Sequence, residues 1–140
     1  MTPVWDAAAA EWVAGQLGYD RPFTSCRSMA VIHSGRIVAG VVFHDWNPEA
    51  GVIELSAAAT DPRWMTRKVI NEVFGYAFGL LGCQMAVART EASNSTVRKL
   101  WRGLGAQETI IPRLFGRAKN GAILTLTDDK FRTSKFYQET

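Results

Sequence analysis

"EASNSTVRKLWRGLGAQE", residues 91–108, is the stretch that decides the fold. Asn94 is of the residue type that begins helices, because its side-chain oxygen accepts one of the unpaired N–H groups of the first turn. The glycines at 103 and 105 supply the left-handed residue on which many helices end. Four apolar residues stand at the spacing of one buried stripe: Val97, Leu100, Trp101 and Leu104. The segment therefore predicts a three-turn helix, roughly residues 95–103, with a basic outer side.

The basic side of this helix lies in a basic middle section of the chain. Residues 63–119 contain ten basic and three acidic side chains, a net charge of +7, whereas residues 1–62 contain three basic and seven acidic ones, a net charge of −4. Such a concentration of cations indicates contact with an anion, either a phosphorylated cofactor or a nucleic acid. The alternative is a solvated cationic surface that binds nothing.

Length and composition narrow the class of protein. The 140 residues predict a single domain over 1–140. No uninterrupted apolar run approaches the ~20 residues of a membrane span, and Asp6 and Glu11 interrupt the N-terminus, which is not typical of a secretory signal. We therefore expect a cytoplasmic protein without membrane contact. Cys26 and Cys83 lack metal-binding spacing, so we expect two reduced thiols and no metal site.

Before residue 61 the hydrophobic pattern changes from helical to strand-like. Residues 4–17 predict a helix that ends at Gly18. Two β-rich runs flank a predicted turn at Ser34-Gly35, and a second turn, "NPEAG" at 47–51, leads into the run "VIELSAAAT". The sequence therefore predicts three antiparallel strands in a row.

After residue 61 helices and strands alternate. Asp61-Pro62 predicts a helix N-cap and first turn, and apolar residues three and four apart predict a long helix ending at Gly82. "QMAVART" predicts a buried strand, the helix after Asn94 follows, and "QETIIPRLF" and "AILTLT" predict a closing pair of strands. The fold class is α/β (α+β), with mixed strand directions.

This order of elements resembles the GNAT superfamily of acyl-CoA-dependent N-acyltransferases. The family's pattern of Asn, a small apolar residue, an aromatic residue and Gly is matched in spacing by Asn94, Val97, Trp101 and Gly105. The resemblance extends over about residues 28–126 and is closest to compact members of the ribosomal-protein N-terminal acetyltransferase type. It implies a central mixed sheet with an antiparallel meander, flanked by helices, and acetyl-CoA as the cofactor.

The resemblance also implies a cofactor-binding segment at the start of the long helix. The family's loop there reads Gln/Arg-x-x-Gly-x-Gly/Ala, because glycines let the backbone approach the CoA pyrophosphate at the positive end of a helix. Trp64 and Thr66 stand where those glycines are expected. Cationic side chains would compensate by binding the pyrophosphate. The residues assigned to this segment are Arg63, Trp64, Met65, Thr66, Arg67 and Lys68.

Two further segments are implied to contact the cofactor. Backbone N–H groups near Ala57, Ala58 and Ala59 would bind the thioester carbonyl or pantetheine, since small side chains permit close approach. The helix after Asn94 would flank the pantetheine arm, and its assigned residues are Asn94, Arg98 and Trp101, with Lys99 or Arg102 as further cations for the phosphates. Asn94 alternatively serves only as a helix cap.

Acyl transfer to an amine needs a base, because a free alkyl amine has a pKa near ~10 and is mostly protonated. Glu54 is the candidate, since relatives of this type often carry a catalytic Glu on this strand; the alternative is a Glu on an exposed strand face. Strand alternation places Glu54 and Ser56 on one face. Many relatives have a Tyr at the position of Trp101, and an indole N–H is too weak an acid to replace it. Tyr76 and Ser56 are the candidate acids; unassisted departure of the thiolate and lost catalysis are the alternatives.

The predicted function is transfer of an acetyl group from acetyl-CoA to an amine of a protein N-terminus or a small molecule. A non-catalytic acyl-CoA-binding or structural relative is the alternative. A nucleic-acid-binding module ranks last, because residues 63–119 lack a recognised binding pattern. A surface or hydrogen-bonded structural role is expected for His33 and His44. The oligomeric state is left open between monomer and homodimer.

Overall fold

The computed structural model describes residues 1–138, and Glu139 and Thr140, the end of the predicted 1–140 domain, lie outside the described residues. Seven strands form one sheet in the order β1-β2-β3-β4-β5-β7-β6. The strands are β1 (Thr2–Trp5), β2 (Arg27–His33), β3 (Arg36–Asn47), β4 (Val52–Ala59), β5 (Met85–Glu91), β6 (Gln107–Ile111) and β7 (Gly121–Thr127). The helices are α1 (Ala8–Leu17), α2 (Arg67–Phe74), α3 (Ser95–Leu104) and α4 (Asp128–Arg132). Among the described residues, no helix is both long and apolar enough to cross a membrane.

The predicted meander is confirmed as the antiparallel strands β2, β3 and β4. Ser34 and Gly35 both have positive φ, 52° and 76°, which is the backbone of the tight hairpin turn whose twist matches the flanking strands. The predicted helix over 4–17 is shorter than expected, because Val4 and Trp5 pair with β2 in an added edge strand. The helix begins only after Asp6, whose carboxylate accepts the N–H of Ala8 at 2.9 Å.

The predicted N-cap at Asp61 is wrong, because α2 begins at Arg67 and Thr66 caps it by accepting the N–H of Val69. Asp61 instead accepts hydrogen bonds from the side chain and the backbone N–H of Arg63. These bonds lower the pKa of Asp61 from its ordinary 3.8 to about 2. After α2 the helix widens into a π-helical segment, Gly75–Leu80, before Gly82 turns the chain with a φ of 67°.

Helices cover the two faces of the sheet unequally. On one face α2, the π-helical segment, α3 and α4 enclose the main core, to which Ile53 and Leu55 of β4 contribute. On the other face α1 packs on β2, β3 and β4, through Val13 and its neighbours. Ser56 and Glu54 point to this second face and are only half-buried, which confirms the predicted alternation along β4. Cys26 and Cys83 are free thiols, and burial raises the pKa of Cys83.

Gly40 of β3 is the point at which α1 makes its closest approach to the sheet. A Cβ atom added there would lie 2.6 Å from Cγ2 of Val13, a stiff β-branched side chain that is fully buried. We predict that Gly40→Ala lowers the free energy of unfolding by ~1–3 kcal/mol through overpacking. Urea unfolding monitored by circular dichroism would measure the change.

Gly15→Ala in α1 is the matched control, because a Cβ atom there meets nothing within 4 Å. Replacing a helical glycine by alanine removes backbone freedom from the unfolded chain and stabilises by up to ~1 kcal/mol. Equal changes in the free energy of unfolding for the two substitutions would show that close packing at Gly40 does not hold α1 against the sheet.

Candidate active site

A wedge-shaped gap opens inside the sheet between β4 and β5. These parallel strands pair over only three residues each, Val52–Glu54 with Met85–Val87. β4 then continues along β3 as far as Ala59, and β5 continues along β7 as far as Glu91. Within the described part of the chain, residues 55–59 and 88–91 therefore pair with a strand on one side only. Their other edge offers backbone N–H and C=O groups to an extended ligand.

The side chains that line the wedge are small, and the wedge is open on the face that carries α2 and α3. Ala57 and Ala59 share this face with Ile53 and Leu55, since alternate residues of a strand point the same way. The helices bury Ile53 and Leu55 but leave Ala57 and Ala59 exposed. A ligand can therefore approach the backbone of β4 from between the helices. Ala58 points to the other face and packs beside the α1 cluster.

Two helix N-termini lie after the strands that border the wedge. α2 follows β4 and α3 follows β5, so the positive ends of both helices begin near the open end of the gap. Thr66 caps α2, and the side chain of Asn94 caps α3 by accepting the N–H of Val97 at 3.2 Å. The capping role considered for Asn94 is confirmed. Lys68 is exposed in the first turn of α2.

The remaining residues of the predicted pyrophosphate segment have other partners. Trp64 is buried in the main core, with Met65 half-buried beside it, so neither forms an open glycine-like loop. The guanidinium of Arg63 is bound to Asp61. Arg67 donates to the carbonyl of Lys135 at 2.6 Å, so the segment after α4 rests against the start of α2.

Asn71 strengthens this contact between α2 and the C-terminal segment. Its amide donates to the carbonyl of Phe136 at 2.7 Å and accepts the N–H of Gln138 at 2.9 Å. The guanidinium of Arg67 also lies 5.8 Å from the centre of the Phe136 ring. Of the three cations assigned to the pyrophosphate, Lys68 is the one whose side chain forms no hydrogen bond or ion pair with the described residues.

Arg98 and Trp101 of α3 are engaged in holding the helix in place. Arg98 donates two hydrogen bonds to the carboxylate of Glu108, at 2.8 and 2.6 Å, and a third to the carbonyl of Ala92 at 2.6 Å. This bidentate bond lowers the pKa of Glu108 and raises that of Arg98. Trp101 is buried edge-on against Phe74, with ring centres 5.8 Å apart. The guanidinium of Arg98 is thus bound within the protein and the ring of Trp101 is packed in the core, so cofactor contact by either residue stays a prediction.

The predicted catalytic residues are on opposite faces of the sheet. Glu54 and Ser56 face α1, whereas Tyr76 packs on the other face, with its ring 4.9 Å from that of Phe43 and 4.7 Å from that of Trp5. Phe43 pairs with Leu55, a residue of the main core. The structure therefore does not bring Tyr76 together with Glu54. Tyr76 as the candidate acid stays a prediction, and its place on the opposite face of the sheet from Glu54 does not favour it.

Glu54 lies at the last paired position of β4, where the wedge begins. Its carboxylate is 3.3 Å from Nε of Arg89 on β5, and the Glu54 side chain is 18% exposed. His44 is directly opposite Glu54 on β3. Potential ligand atoms of His44, Asp45 and Glu54 all lie within 4.8 Å of one another. Two carboxylates and an imidazole therefore gather at the narrow end of the wedge.

His44 lies at the site, although the sequence did not predict it there. Its Nδ1 is 2.6 Å from Oδ2 of Asp45, and its Nε2 is 2.8 Å from Oγ of Ser56. The expectation of a hydrogen-bonded role for His44 is confirmed, and His33 is exposed at its turn as expected. Counting outward from the turn at 47–51 would have placed His44 near Glu54 and Ser56. The β-bulge between His44 and Asn47 has no comparable signal.

Comparison with solved structures identifies the fold. Spermidine/spermine N-acetyltransferase SpeG from Vibrio cholerae, in complex with manganese ions, gives a TM-score of 0.75 at 14% identity over 93% of this chain and 94% of that chain. The dodecameric spermidine N-acetyltransferase of the same species gives 0.73 at 12% identity, over 94% and 96%. A chain assigned as an acetyltransferase gives 0.69 at 14% identity, over 84% of this chain and 64% of its own. The protein has the GNAT acyltransferase fold, as the sequence predicted. No protein-family model and no curated protein matches the sequence.

The ion pair between Arg98 and Glu108 makes the stability of the protein depend on pH in the acid range. Because the pKa of Glu108 is lowered on folding, its contribution is present above the ordinary value of 4.5 and is lost as the pH falls through the lowered value. We predict that Glu108→Gln lowers the melting temperature at neutral pH and reduces the loss of stability in acid. Thermal unfolding of both proteins over a series of pH values would measure this.

Glu91→Gln is the matched control, because the pair of Glu91 with Lys119 is exposed and its atoms are 3.3 Å apart. Such a pair contributes about 0–1 kcal/mol at most. An acid profile for Glu108→Gln that overlies the wild-type profile would contradict a stabilising role for the half-buried bidentate pair.

Proposed function

We propose that the protein is an acetyl-CoA-dependent N-acyltransferase. The observation that carries the proposal is the wedge between β4 and β5, whose unpaired strand edges suit an extended ligand with amide groups. Pantetheine is such a ligand, and it would add to residues 55–59 as a short extra strand does. Its thioester would then end at the narrow part of the wedge, near Glu54 and Ser56.

The phosphates of CoA would bind mainly to side chains. The burial of Trp64 removes the glycine loop that lets the backbone approach a pyrophosphate in relatives of this type. Lys68 and Arg67 lie in the first turn of α2, where cations are unfavourable without an anion because the helix end is itself positive. A phosphate there would satisfy both the cations and the unpaired N–H groups of the turn.

The acceptor amine would enter from the face that carries α1. Glu54 points to this face and is the proposed base that takes the proton of the incoming ammonium group. Its partner Arg89 is 52% exposed, so a cationic substrate can compete for the carboxylate. Asp45 adds a second carboxylate, 77% exposed. Phe23, in the segment before β2, lies over this region, because its ring is 5.3 Å from that of His44.

The charge of this entrance favours a cationic acceptor. Glu54 and Asp45 attract ammonium groups, which both polyamines and protein N-termini carry. The solved proteins of this fold include enzymes that acetylate spermidine. We therefore propose a small polyamine as the first acceptor to test, with a peptide N-terminus as the second. A monomer and a homodimer are both compatible with this assignment.

Cofactor binding is the first prediction of the proposal. Calorimetric titration of acetyl-CoA and CoA should give micromolar binding, roughly −8 kcal/mol. Arg67→Glu/Lys68→Glu should abolish it by placing anions where the phosphates bind. Ala57→Phe should abolish it by filling the wedge. Arg36→Glu/Lys130→Glu and Ala8→Phe, which make the same changes at exposed positions away from the wedge, should bind as wild type.

Each outcome of these titrations separates the candidate functions. Wild-type affinity in the Ala57→Phe and Arg67→Glu/Lys68→Glu proteins would refute the wedge as the cofactor site. Binding of CoA without turnover of any amine would favour the non-catalytic alternative. Salt-sensitive binding of DNA or RNA without affinity for CoA would favour the nucleic-acid alternative. No binding of any of these would mean that the fold serves another purpose here.

The role of Glu54 is tested by turnover. We predict that Glu54→Gln lowers kcat for spermidine or a peptide amine by ~10²–10⁴-fold, because the amide cannot accept the ammonium proton. The dissociation constant of CoA should not change. Release of CoA thiol, followed with a thiol reagent, measures the rate. Glu72→Gln, an exposed residue of α2, is the control; equal rates in both variants would remove Glu54 from the mechanism.

A further inference from the structure

Arg89 and Glu54 form an ion pair that spans the wedge at its narrow end. Nε of Arg89 lies 3.3 Å from Oε2 of Glu54. Glu54 is the last residue of β4 that pairs with β5, and its partner there is Val87. Alternate residues of a strand share a face, so Ser56 and Arg89 are the next residues of the α1 face on the two sides of the gap. The ion pair therefore lies where β4 and β5 begin to separate.

The pair lies between the places proposed for the two substrates. The cofactor would occupy the face that carries α2 and α3, and the acceptor amine would enter from the face that carries α1. An amine must therefore pass the side chains at the narrow end of the wedge to reach the thioester. On the α1 face these include the carboxylate of Glu54 and the guanidinium of Arg89, which meet across the gap. Their contact closes the passage in the free protein.

The contact is loose compared with the other arginine–carboxylate pair that follows β5. Arg98 donates two hydrogen bonds to Glu108, at 2.8 and 2.6 Å, and its side chain is 24% exposed. The side chain of Arg89 is 52% exposed and, within residues 1–138, its guanidinium donates no hydrogen bond. An exposed ion pair of this kind contributes little free energy, because water competes for both groups. Another cation can therefore displace Arg89 at small cost.

The charges around the pair attract a cation even while Arg89 is in place. Potential ligand atoms of His44, Asp45 and Glu54 all lie within 4.8 Å of one another. With His44 neutral, the two carboxylates and the one guanidinium leave a net negative charge. An approaching ammonium group is therefore drawn to this place, whereas a neutral molecule is not.

We propose that Arg89 determines which nucleophiles reach the thioester: its guanidinium holds the place at Glu54 that the ammonium group of the acceptor takes, so that a cationic acceptor opens the passage. The inference rests on the proposed acyl-CoA function. The exchange replaces one cation by another at the same carboxylate, so Glu54 is never left unpaired. It also brings an N–H group of the acceptor to Oε2 of Glu54, the atom that would take the proton.

The displaced guanidinium has a second carboxylate on the same side of the sheet. Glu91 follows Arg89 by two positions on β5, so both side chains are on the α1 face. The side chain of Glu91 is 43% exposed, and one of its oxygens is 3.3 Å from Nζ of Lys119. The long side chain of Arg89 can turn from Glu54 toward Glu91 while the backbone of β5 stays paired with β7.

Selection against neutral nucleophiles follows from this exchange. Water and alcohols carry no charge and do not compete with Arg89 for Glu54, so they meet a closed passage. Water that reached a free Glu54 would find a carboxylate able to take its proton, and the thioester would be hydrolysed. Closed active sites prevent such side reactions by excluding water. Arg89 therefore couples cleavage of the thioester to the arrival of an amine.

Arg89→Gln removes the charge and keeps a polar side chain. We expect the KM of spermidine to fall about three- to tenfold, because no cation has to be displaced, and kcat to change by less than about twofold. Hydrolysis of acetyl-CoA without an acceptor should rise by about threefold or more, because the passage is open. Release of CoA thiol measures both rates. An unchanged KM together with unchanged hydrolysis would overturn the inference.

Three further variants separate this role from a structural one. Arg89→Lys keeps a cation beside Glu54 and should restore the wild-type KM and hydrolysis. Arg89→Gln/Glu54→Gln should lose the extra hydrolysis, because the carboxylate that activates water is gone. Arg132→Gln breaks another exposed pair, with Asp128 on α4, and should change neither quantity. The same changes in Arg132→Gln would overturn the assignment to Arg89, because they would follow from the loss of any surface arginine.

Binding of the amine tests the inference without acyl transfer. Calorimetric titrations of spermidine, and of alanine amide as a substitute for a peptide N-terminus, need no CoA. At least one of these amines should bind about three- to tenfold more tightly to Arg89→Gln than to the wild type. Glu54→Gln should bind both amines more weakly than the wild type, because the carboxylate that pairs with the ammonium group is gone.

The titrations also separate this inference from the proposed function. Tighter amine binding by Arg89→Gln, in a protein that does not bind CoA, would support the place of Arg89 at the amine site and refute the CoA function. Binding of CoA with equal amine affinities of the wild type and Arg89→Gln would overturn the role of Arg89 and leave the CoA function intact. The absence of amine binding from both proteins would overturn that role as well.

Discussion

The short parallel pairing of β4 with β5 is the constraint on which the site depends. Three residue pairs hold the two halves of the sheet together, and beyond them each strand follows its antiparallel neighbour. Because each half has its own partners, the strands can separate without losing the hydrogen bonds of their outer edges. The separation places free backbone groups inside the molecule, which a folded sheet ordinarily excludes. A ligand that completes the sheet is the simplest reason for such a gap.

Several features of the fold followed from local sequence rules. The cap at Asn94, the end of α3 near Gly105 and the turn at Ser34-Gly35 are each set by residues within a few positions, so they could be predicted. β1 could not, because residues 2–5 form a strand only by pairing with β2. The start of α2 was misplaced for a similar reason. Asp61 is a good cap by composition, but Arg63 takes its carboxylate.

The candidate site shows the same difference between features set by local sequence and features set by distant partners. Alternation along one strand predicted that Glu54 and Ser56 share a face, whereas the role of Arg98 could not be foreseen because Glu108 is ten residues away. His44 was missed because its partner Ser56 lies on a different strand, and their meeting depends on the register of β3 with β4. Asp45 depends further on a bulge. Sequence periodicity therefore assigns residues to a face, and the pairing of strands decides which of them touch.

The helix α2 also holds the two ends of the chain. Trp5, in the first strand, packs on Tyr76 of the continuing π-helical segment, and Asn71 binds the backbone of Phe136 and Gln138. Opening of this helix would therefore release both chain ends in one event, so the three segments should behave as a single cooperative unit. The helix next to the proposed phosphate site thus belongs to the stable frame of the protein, and ligands would meet it already formed.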